Sequence, residues 1–392
     1  MKNSLFKKIT KGYGGKSVFF LSVFILVSLS AFSQYGQKLY RIETGIEPAD
    51  SQQLFLRMGA STFVNNNEFF NDFWKGYTLI GYFVNPELVY HPNPRTRVRI
   101  GGHFLQYAGL DDMTQAFPTF TLEHRFSPLL QVVAGSIYGT LNHRLIEPVF
   151  NFERFFTDYQ ESGLQFLFTH NFFEADIWLN WERFIFTGDP FQEEFTAGLS
   201  SSVFAWDSHR AIRAEVPVQL LATHKGGQIN VSDERGQTLI NFASGFSLIW
   251  DLPHPFFRDL QMHNYFVLFR DLSNEFRYPF EKGWGIYPNL YLRTDLFHIG
   301  AGYWWGNGFV APRGQPLFMS VSQVDEDFHQ KRRQLMTAKV IYHRKLGRGI
   351  DLGVRFESYF DPVNSEFDHT TGLHIFFSQQ FFITKISRIR GY

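Results

Sequence analysis

The sequence predicts an all-β fold, a transmembrane antiparallel up-and-down β-barrel of about 16 strands. One observation is the segment 283–308, where apolar and polar side chains alternate along two runs of about ten residues joined by a tight turn. A second is that the connections along the chain alternate between long and short. A third is the even strand count, which returns both ends of the wall to the same side of a membrane. Together these patterns are typical of a barrel that crosses a bilayer with tilted strands.

The hairpin at 283–308 separates the two faces of the predicted wall most clearly. Because side chains alternate along a strand, Asn289 and Arg293 fall on one face, which we expect to face the lumen. An arginine is expected to be nearly neutral at Asn289 but to destabilise the barrel at a lipid-facing position. The side chains predicted to face lipid in this hairpin are Leu290, Leu292, Ile299 and Ala301.

The composition supports a barrel wall and excludes some kinds of site. The 392-residue chain has no cysteine, which excludes disulfides and thiolate metal sites. It contains 47 phenylalanines, yet its mean hydropathy is slightly negative. Many aromatic residues without long apolar runs are expected of a wall whose two faces alternate. A soluble, aromatic-rich β protein, such as a propeller or a large sandwich, is the alternative.

The N-terminal residues have the pattern of a secretory signal peptide. Five lysines precede an apolar run at 17–32, and Ala31 and Ser33 place small residues before a predicted cleavage ahead of Gln34. An uncleaved membrane anchor is the alternative, although the run is short for a spanning helix. Secretion across the inner membrane predicts a location in the bacterial outer membrane. The expected division is a signal peptide at 1–33, a periplasmic lead-in at 34–53 with a possible short strand at 39–44, and a transmembrane β-barrel at 54–392.

Alternation places the strands in order, and turn residues separate them. Pro92 and Pro94 are expected to end the second strand, because proline lacks the N–H that a sheet requires. Gly101 and Gly102 indicate a bulge or a bend in the third strand. The predicted strands are 54–64, 77–90, 95–107, 119–126, 130–138, 161–170, 173–184, two strands that meet at 206–209, 239–250, 259–270, two within 283–308, 334–346, one after the turn at 347–349, and 370–383.

The predicted mature chain resembles the bacterial outer-membrane β-barrel superfamily, especially sixteen-strand porin-like channels. The resemblance rests on the strand and loop pattern over the whole barrel, and on the aromatic residue Tyr392 at its end. The segment 386–390 departs from a clean final strand, so 372–377 is a second candidate for the terminal signal. The resemblance implies a channel through which small polar solutes pass.

Projecting the alternation inward gives a mixed-charge lumen, which predicts a passive channel. The connection 306–333 is expected to narrow it, because its apolar middle suits burial in the barrel mouth and its ends are strongly charged. The predicted constriction residues are Phe318, Asp325, Glu326, Asp327, Arg332 and Arg333. The predicted pore-lining residues are Arg97, Arg99, His103, Glu123, Arg125, Asp176, Asn180, Glu182, Arg213, Glu215, Asn289, Arg293, Arg355 and Glu357.

Two other functions are considered beside the channel, namely a structural or accessory subunit of an outer-membrane complex and a barrel enzyme. The pairs Asp111-Asp112, Asn142-His143 and Ser208-His209 do not have the spacing of a known catalytic signature, so no catalytic residue and no enzyme activity are expected. No metal site and no cofactor are expected. After removal of 1–33, 32 basic and 37 acidic residues give a net charge of about −5, which does not suggest nucleic acid. The expected partners are outer-membrane lipid, lipopolysaccharide, small polar solutes and an outer-membrane protein.

Overall fold

A computed structural model describes residues 40–42, 44–205 and 211–386. Sixteen strands form one closed antiparallel barrel, in which neighbours in sequence pair with each other and β1 pairs with β16. The predicted fold class is confirmed. The strands are β1 Gln53–Glu68, β2 Thr78–Asn93, β3 Thr96–Tyr107, β4 Gln115–Arg125, β5 Leu130–Ser136, β6 Ser162–Thr169, β7 Phe173–Arg183, β8 Glu193–Ala205, β9 Ile212–Gly226, β10 Gln237–Asp251, β11 Phe257–Asp271, β12 Lys282–Thr294, β13 Phe297–Asn307, β14 Arg332–Gly347, β15 Ile350–Asp361 and β16 Glu366–Lys385.

The two faces of the wall follow the sequence alternation. Leu290 on β12 and Ile299 on β13 point outward and are 49% and 45% exposed, whereas Asn289 is only 6% exposed. An exposed apolar band outside and buried polar side chains inside are what a membrane barrel requires. Within the part of the chain that the structure describes, no helix is long and apolar enough to cross a membrane.

Some sequence boundaries need correction. The predicted signal peptide at 1–33 and the turn at 206–210 lie outside the described residues. Of the predicted lead-in, Pro48–Asp50 forms a 3-10 helix, and the described part of the short strand expected at 39–44 is not extended in a sheet. β2 continues to Asn93 instead of ending before Pro92, because the ladder to β3 shifts its register between Tyr90 and Asn93. Such an irregularity accommodates a proline within a pair of strands.

The long connection after β5 folds into the lumen. It comprises residues 137–161 and contains a short helix, α1, at Arg154–Thr157. On one side of the barrel the Ile146 amide donates to Gln219 of β9 at 3.0 Å. On another side the carboxylate of Glu147 accepts a hydrogen bond from Tyr359 of β15. Because β9 and β15 are distant in the barrel, the connection crosses the interior.

A second long connection, residues 308–331 after β13, fills more of the lumen. Phe318 is fully buried and packs edge-on against Trp304 of β13, with ring centroids 5.5 Å apart. Asn241 on β10 donates to the Val310 carbonyl at 2.7 Å. These contacts place the apolar middle of the connection among inward-facing wall residues.

The segment before β1 enters the interior as well. The Tyr40 hydroxyl lies 2.7 Å from Nδ1 of His374 on β16, and the Ile42 amide donates to Asn142 at 2.9 Å. The guanidinium of Arg97 on β3 donates to the carbonyl of Gly45 at 2.8 Å. Two connections and this segment therefore occupy the lumen together.

Candidate functional site

One part of the barrel wall is incomplete. β5 has 7 residues and β6 has 8, whereas the flanking β4 and β7 have 11 each. β5 pairs with β4 only at 121–125, so residues 115–120 of β4 continue upward without a partner on that side. Because two strands are missing at this height, β4 and β7 are expected to stand about 14 Å apart, three times the usual spacing between neighbouring strands. We call this gap the notch, and it lies at the end with long connections, which faces outward in such barrels.

Local sequence explains why the wall stops here. Gly135 near the end of β5 has φ of 92°, and a Cβ at this position would lie 2.2 Å from the Phe120 carbonyl oxygen. The two backbones therefore approach closely where their pairing ends. Pro118 stands on the unpaired stretch of β4, which is an edge, the place in a sheet that tolerates a residue without an N–H.

A cleft of about 360 Å³ passes through the notch. Its outer rim includes Phe117 of β4 and Trp181 of β7, whose exposed fractions of 45% and 39% are those of the lipid-facing band. Its inner end includes Trp178 of β7 and Leu221 of β9, which face the lumen and are 3% and 1% exposed. A single cleft bounded by both faces of the wall is a lateral path from the bilayer to the interior.

The back of the cleft is closed by the connection 137–161. Gln115 at the start of β4 donates to the Thr157 carbonyl of α1 at 2.8 Å, and Tyr107 of β3 donates to the Phe156 carbonyl at 3.0 Å. These two bonds hold α1 across the gap from inside. The wall is thus replaced at this point by a short helix whose side chains are available to the cleft.

A buried ionic network lies behind this helix. Nε2 of His143 is 3.0 Å from Glu161, and Nδ1 is 2.8 Å from Asp176 of β7. The imidazole is fully buried and stacks on the indole of Trp178, with centroids 3.6 Å apart. The His143 pKa is raised to about 9: burial lowers it, but the charges and hydrogen bonds of the two carboxylates outweigh that effect. His143 is therefore an imidazolium at neutral pH.

Glu161 connects this network to the cleft, which it lines. Besides His143, its carboxylate accepts a hydrogen bond from the Thr140 amide at 2.6 Å. Burial would raise the Glu161 pKa, but the charge of His143 and these hydrogen bonds lower it overall. The carboxylate is thus ionised and fixed in orientation. An oriented carboxylate is able to take a proton from a water molecule in the cleft.

Two arginines from different connections also line the cleft. Arg154 on α1 lies 3.5 Å from Asp158, and Arg313 from the connection 308–331 pairs with Glu182 of β7. The Arg154 pKa is lowered mainly by burial and also by the positive charge of Arg313, so the two cations lie near each other. The cleft therefore places two guanidinium groups, each beside a carboxylate partner, near Glu161, and their remaining N–H donors are able to stabilise a negative charge that develops between them.

The predicted pore-lining residues mostly face the interior, where they contact other side chains. Arg97 and Arg99 pair with Glu123 at 2.8 Å and 3.0 Å. Arg355 pairs with Glu357 across two residues of β15. Five further predicted residues are buried, namely His103, Asp176, Asn180, Glu215 and Asn289. The less buried ones are Arg125, Glu182, Arg213 and Arg293. Of these, Arg213 pairs with Asp251 and Arg293 pairs with Asp259. Their role in lining a pore stays a prediction.

The predicted constriction residues are separated by the structure. Phe318 is buried in the lumen, and Arg333 is buried and pairs with Asp361 of β15. By contrast, the acidic run and the neighbouring arginine are exposed, namely Asp325, Glu326, Asp327 and Arg332. Of the charged residues that were expected to face each other across an opening, only Arg333 is therefore buried in the interior. The constriction, too, stays a prediction.

The residues that build the cleft were largely missed by sequence reasoning. His143 was considered only with its neighbour Asn142, and its partners Glu161 and Asp176 are 18 and 33 residues away in the chain. The available signal was the long connection after the fifth strand, which is rich in ionisable and aromatic residues. Asp111 and Asp112 are exposed on the connection after β3, and Ser208-His209 lies outside the described residues. Among residues that the structure does describe, no group of three or more acidic, histidine or cysteine side chains is placed to hold a metal ion.

Residues 46–386 match the family described as Lipid A 3'-O-deacylase-type. No curated protein matches the chain. A loop L8 deletion mutant of OmpT, an outer membrane protein of Vibrio cholerae, is a structural match with a TM-score of 0.50 and 9% identity over 83% of this chain and 99% of that chain. OccAB3 of Acinetobacter baumannii (TM-score 0.47, 9% identity, 84% and 99% covered) and opdK of Pseudomonas aeruginosa (0.46, 10%, 84% and 100%) are further matches.

The comparisons confirm one expectation and correct another. The match to the OmpT mutant confirms the barrel fold that the resemblance stated from the sequence implied. At 9% identity it shows the fold alone. The expectation that the protein is not an enzyme is wrong, because the matching family is named for a deacylase. The absence of a linear catalytic signature misled that expectation, since the ionisable groups of the cleft meet only in the folded barrel.

Proposed function

The chain belongs to the Lipid A 3'-O-deacylase-type family, and we propose that it is an outer-membrane hydrolase that removes an ester-linked acyl chain from a lipid A-type glycolipid. The observation that carries the proposal is the cleft at the notch. It joins the lipid-facing surface to buried ionisable groups, at the end of the barrel that faces outward. A lipid of the outer leaflet is able to reach Glu161 from the side, without leaving the membrane.

The cleft residues suggest how hydrolysis proceeds. Glu161 takes a proton from a water molecule, whose oxygen forms a bond to the acyl carbon. The negative charge on the carbonyl oxygen is stabilised by Arg154 and Arg313. The bond between the acyl carbon and the sugar oxygen then breaks, and the protonated Glu161 returns its proton to that oxygen. The products are a fatty acid and a glycolipid with one free hydroxyl, so atoms and charge balance.

His143 and Asp176 act through Glu161. His143 is fully buried, so its contribution is to orient the carboxylate and to keep it ionised. Asp176 in turn fixes the imidazole through the other ring nitrogen. The two residues are positioning residues for the proposed base.

The obstruction of the lumen favours this function over a passive channel. Solute passage through a barrel of this width requires an aqueous path, but the connections 137–161 and 308–331 and the segment before β1 occupy the interior. A lateral cleft needs no such path. The conclusion therefore depends on the notch and not on the barrel lumen.

The proposal is tested by replacing Glu161. Purified protein is mixed with lipid A in detergent micelles, and mass spectrometry follows released fatty acid and the mass of the remaining glycolipid. Glu161→Gln keeps the size of the side chain but removes the base, so the initial rate is expected to fall about 100-fold or more.

The matched control is Glu87→Gln. Glu87 is also buried and pairs with Arg57 at 2.9 Å and with Arg99 at 3.2 Å, but it does not line the cleft. This variant is expected to retain a rate within about threefold of the unmodified protein, because the two ion pairs that it loses involve no residue of the cleft lining. Absence of fatty acid release by the unmodified protein, or equal losses in both variants, contradicts the proposal.

A further inference from the structure

Three cationic side chains lie at the outer ends of neighbouring strands. Arg270 is the next-to-last residue of β11, and Lys282 and Arg332 are the first residues of β12 and β14. All three are exposed. We call them the cationic patch, and we propose that it binds the phosphate groups of a glycolipid in the outer leaflet. This inference goes beyond the proposed hydrolysis and does not depend on it.

The patch lies on the outside of the wall, across the barrel from the notch. Arg270 shares a face of β11 with Phe266, and Arg332 shares a face of β14 with Met336, and both apolar side chains are exposed. Arg333, by contrast, is on the inner face and is buried. β13, in the middle of the patch, is the eighth strand after β5 in a barrel of 16. A lipid at the patch is therefore separate from one at the cleft.

The patch carries more positive charge than its neighbours neutralise. Register places Arg270 directly opposite Lys282, and like charges in such a cross-strand pair destabilise a sheet. Glu281 pairs with Arg270 at 2.6 Å. Among the residues that the structure describes, Lys282 and Arg332 have no carboxylate partner. An anion from outside the protein is therefore able to offset the repulsion.

Other cations at the outer end of the barrel do have carboxylate partners. Arg183 at the end of β7 pairs with Glu194 of β8 at 3.3 Å, and Arg277 on the connection 272–281 lies 3.4 Å from Glu326. The exposed Lys331, which precedes the first residue of β14, adds a further positive charge near the patch. The excess of positive charge is thus a local feature of these strands.

Amide groups and then aromatic rings follow the cations along the lipid-facing surface. Asn307, the last residue of β13, is opposite Arg332 on one side and Trp284 on the other. Trp305, two residues earlier on β13, is opposite Gln334 and meets the Trp284 ring edge-on, with centroids 5.4 Å apart. Tryptophan is typical of the level where head groups meet hydrocarbon. Cations, amides and rings in this order match the phosphates, sugars and acyl chains of a phosphorylated glycolipid.

Cross-linking locates the lipid and measures how tightly it is held. The probe is a diphosphorylated lipid A with a diazirine on its head group, added to the purified full-length barrel in micelles and activated by light. Mass spectrometry follows the label on peptides that contain Trp284 or Trp305 as the probe concentration rises. Replacing both unpaired cations, Lys282→Gln with Arg332→Gln, is expected to raise the half-saturating concentration about tenfold or more. Label absent from these peptides overturns the inference.

The matched control is Arg344→Gln with Arg348→Gln. This double variant removes the same charge from exposed positions at the other end of β14 and in the turn that follows it. Its half-saturating concentration is expected to stay within about twofold of the unmodified value, because neither residue is near the patch. An equal rise in both double variants would mean that net charge alone attracts the probe, which overturns the inference. Heat-modifiable mobility on gels shows that each variant is folded.

A probe without phosphate groups tests the chemistry that is recognised. With the same acyl chains, it is expected to need about tenfold more for half-saturation of the unmodified protein, and to be insensitive to Lys282→Gln with Arg332→Gln. Equal binding of both probes by the unmodified protein overturns the inference. Displacement of the phosphorylated probe by millimolar inorganic phosphate would show a site for a free anion instead of a lipid, and also overturns it.

The outcome is separable from that of the proposed function. If fatty acid is released but the patch is not labelled, this inference fails while the proposed hydrolysis stands. If the patch is labelled in a phosphate-dependent way and no fatty acid is released, the proposed function fails while the lipid site stands.

Discussion

The two inward connections of this barrel are similar in length but differ in what they do to the wall. Residues 137–161 follow β5, which ends after 7 residues, whereas 308–331 follow β13, which has 11 and pairs with β14 as far as Asn307. They contact each other in the lumen, where the Asn151 amide donates to the Arg313 carbonyl at 2.7 Å. Only the first connection begins before its strand has reached the outer end of the wall, so only there is part of the wall missing.

A connection that occupies the lumen of this barrel therefore does not have to leave a gap in the wall. The second connection contributes apolar side chains such as Phe309 and Leu317, both fully buried, and supports the first from within. The first connection contributes Arg154 and Glu161, which line the cleft at the notch, and His143, which pairs with Glu161 behind it. We therefore expect substitutions in the second connection to affect stability, and those in the first to affect chemistry as well.

The largest expected effect on stability concerns the anchor of the second connection. Arg333 pairs with the buried Asp361, donates to the Leu317 carbonyl at 2.9 Å, and lies over the Phe73 ring at 3.6 Å. Arg333→Gln leaves the Asp361 charge buried without its partner, so the free energy of unfolding is expected to fall by about 3–5 kcal/mol. Urea unfolding in lipid vesicles, followed by the loss of heat-modifiable mobility on gels, measures this change.

The adjacent Arg332 is the control for that prediction. It is exposed at the start of β14, so Arg332→Gln is expected to change the free energy of unfolding by no more than about 0.5 kcal/mol. Equal effects at the two positions would mean that the second connection is not anchored in the lumen as described.

The next effect is a pH dependence confined to the first connection. The pKa of His143 is raised from 6.5 to about 9, so its stabilising contribution is complete below about 6.5 and is lost as the pH rises through about 9. Over this window the stability advantage of the unmodified protein over His143→Gln is expected to shrink by about 3 kcal/mol. Urea unfolding of both proteins at intervals from about pH 6 to about pH 10 checks this; an advantage that is constant or grows with pH would contradict the ionic network.

A third effect compares the complete wall with the notch. Leu290 lies on the complete wall of β12, where Leu290→Arg is expected to cost about 2–4 kcal/mol if it lies near the middle of the bilayer. Phe117 is similarly exposed but stands beside the cleft and near the outer interface, so Phe117→Arg is expected to cost about 1 kcal/mol or less. The same unfolding assay decides, and a larger loss at Phe117 would show that lipid packs against an intact surface there.

The sequence predicted the wall because a strand pattern is local. Whether a residue such as Leu290 faces lipid depends only on its neighbours two positions away, so alternation identified sixteen strands and their faces. The notch depends instead on where pairing stops, as at Gly135, and that is decided by the approach of two backbones. The network of His143 with Glu161 and Asp176 depends on a connection that folds inward, for which the sequence pattern offers no period to detect. The contents of the lumen were unpredictable for the same reason.

The smallest expected effect on the free energy of unfolding is at Asn289, and it tests what occupies the lumen there. From the sequence alone, Asn289→Arg is nearly neutral, because a lumen-facing position in an open channel meets water. In the structure Asn289 is 6% exposed, and its amide donates to the Tyr287 carbonyl at 2.9 Å. A longer, charged side chain has to be accommodated in a cavity of only about 80 Å³ that Lys339 and Arg355 also line, at an expected cost of about 1–3 kcal/mol. Urea unfolding of Asn289→Arg beside Asn289→Ser separates the two views, because only a filled lumen makes the arginine the worse of the two. Equal stability of both variants would contradict a crowded interior at this position.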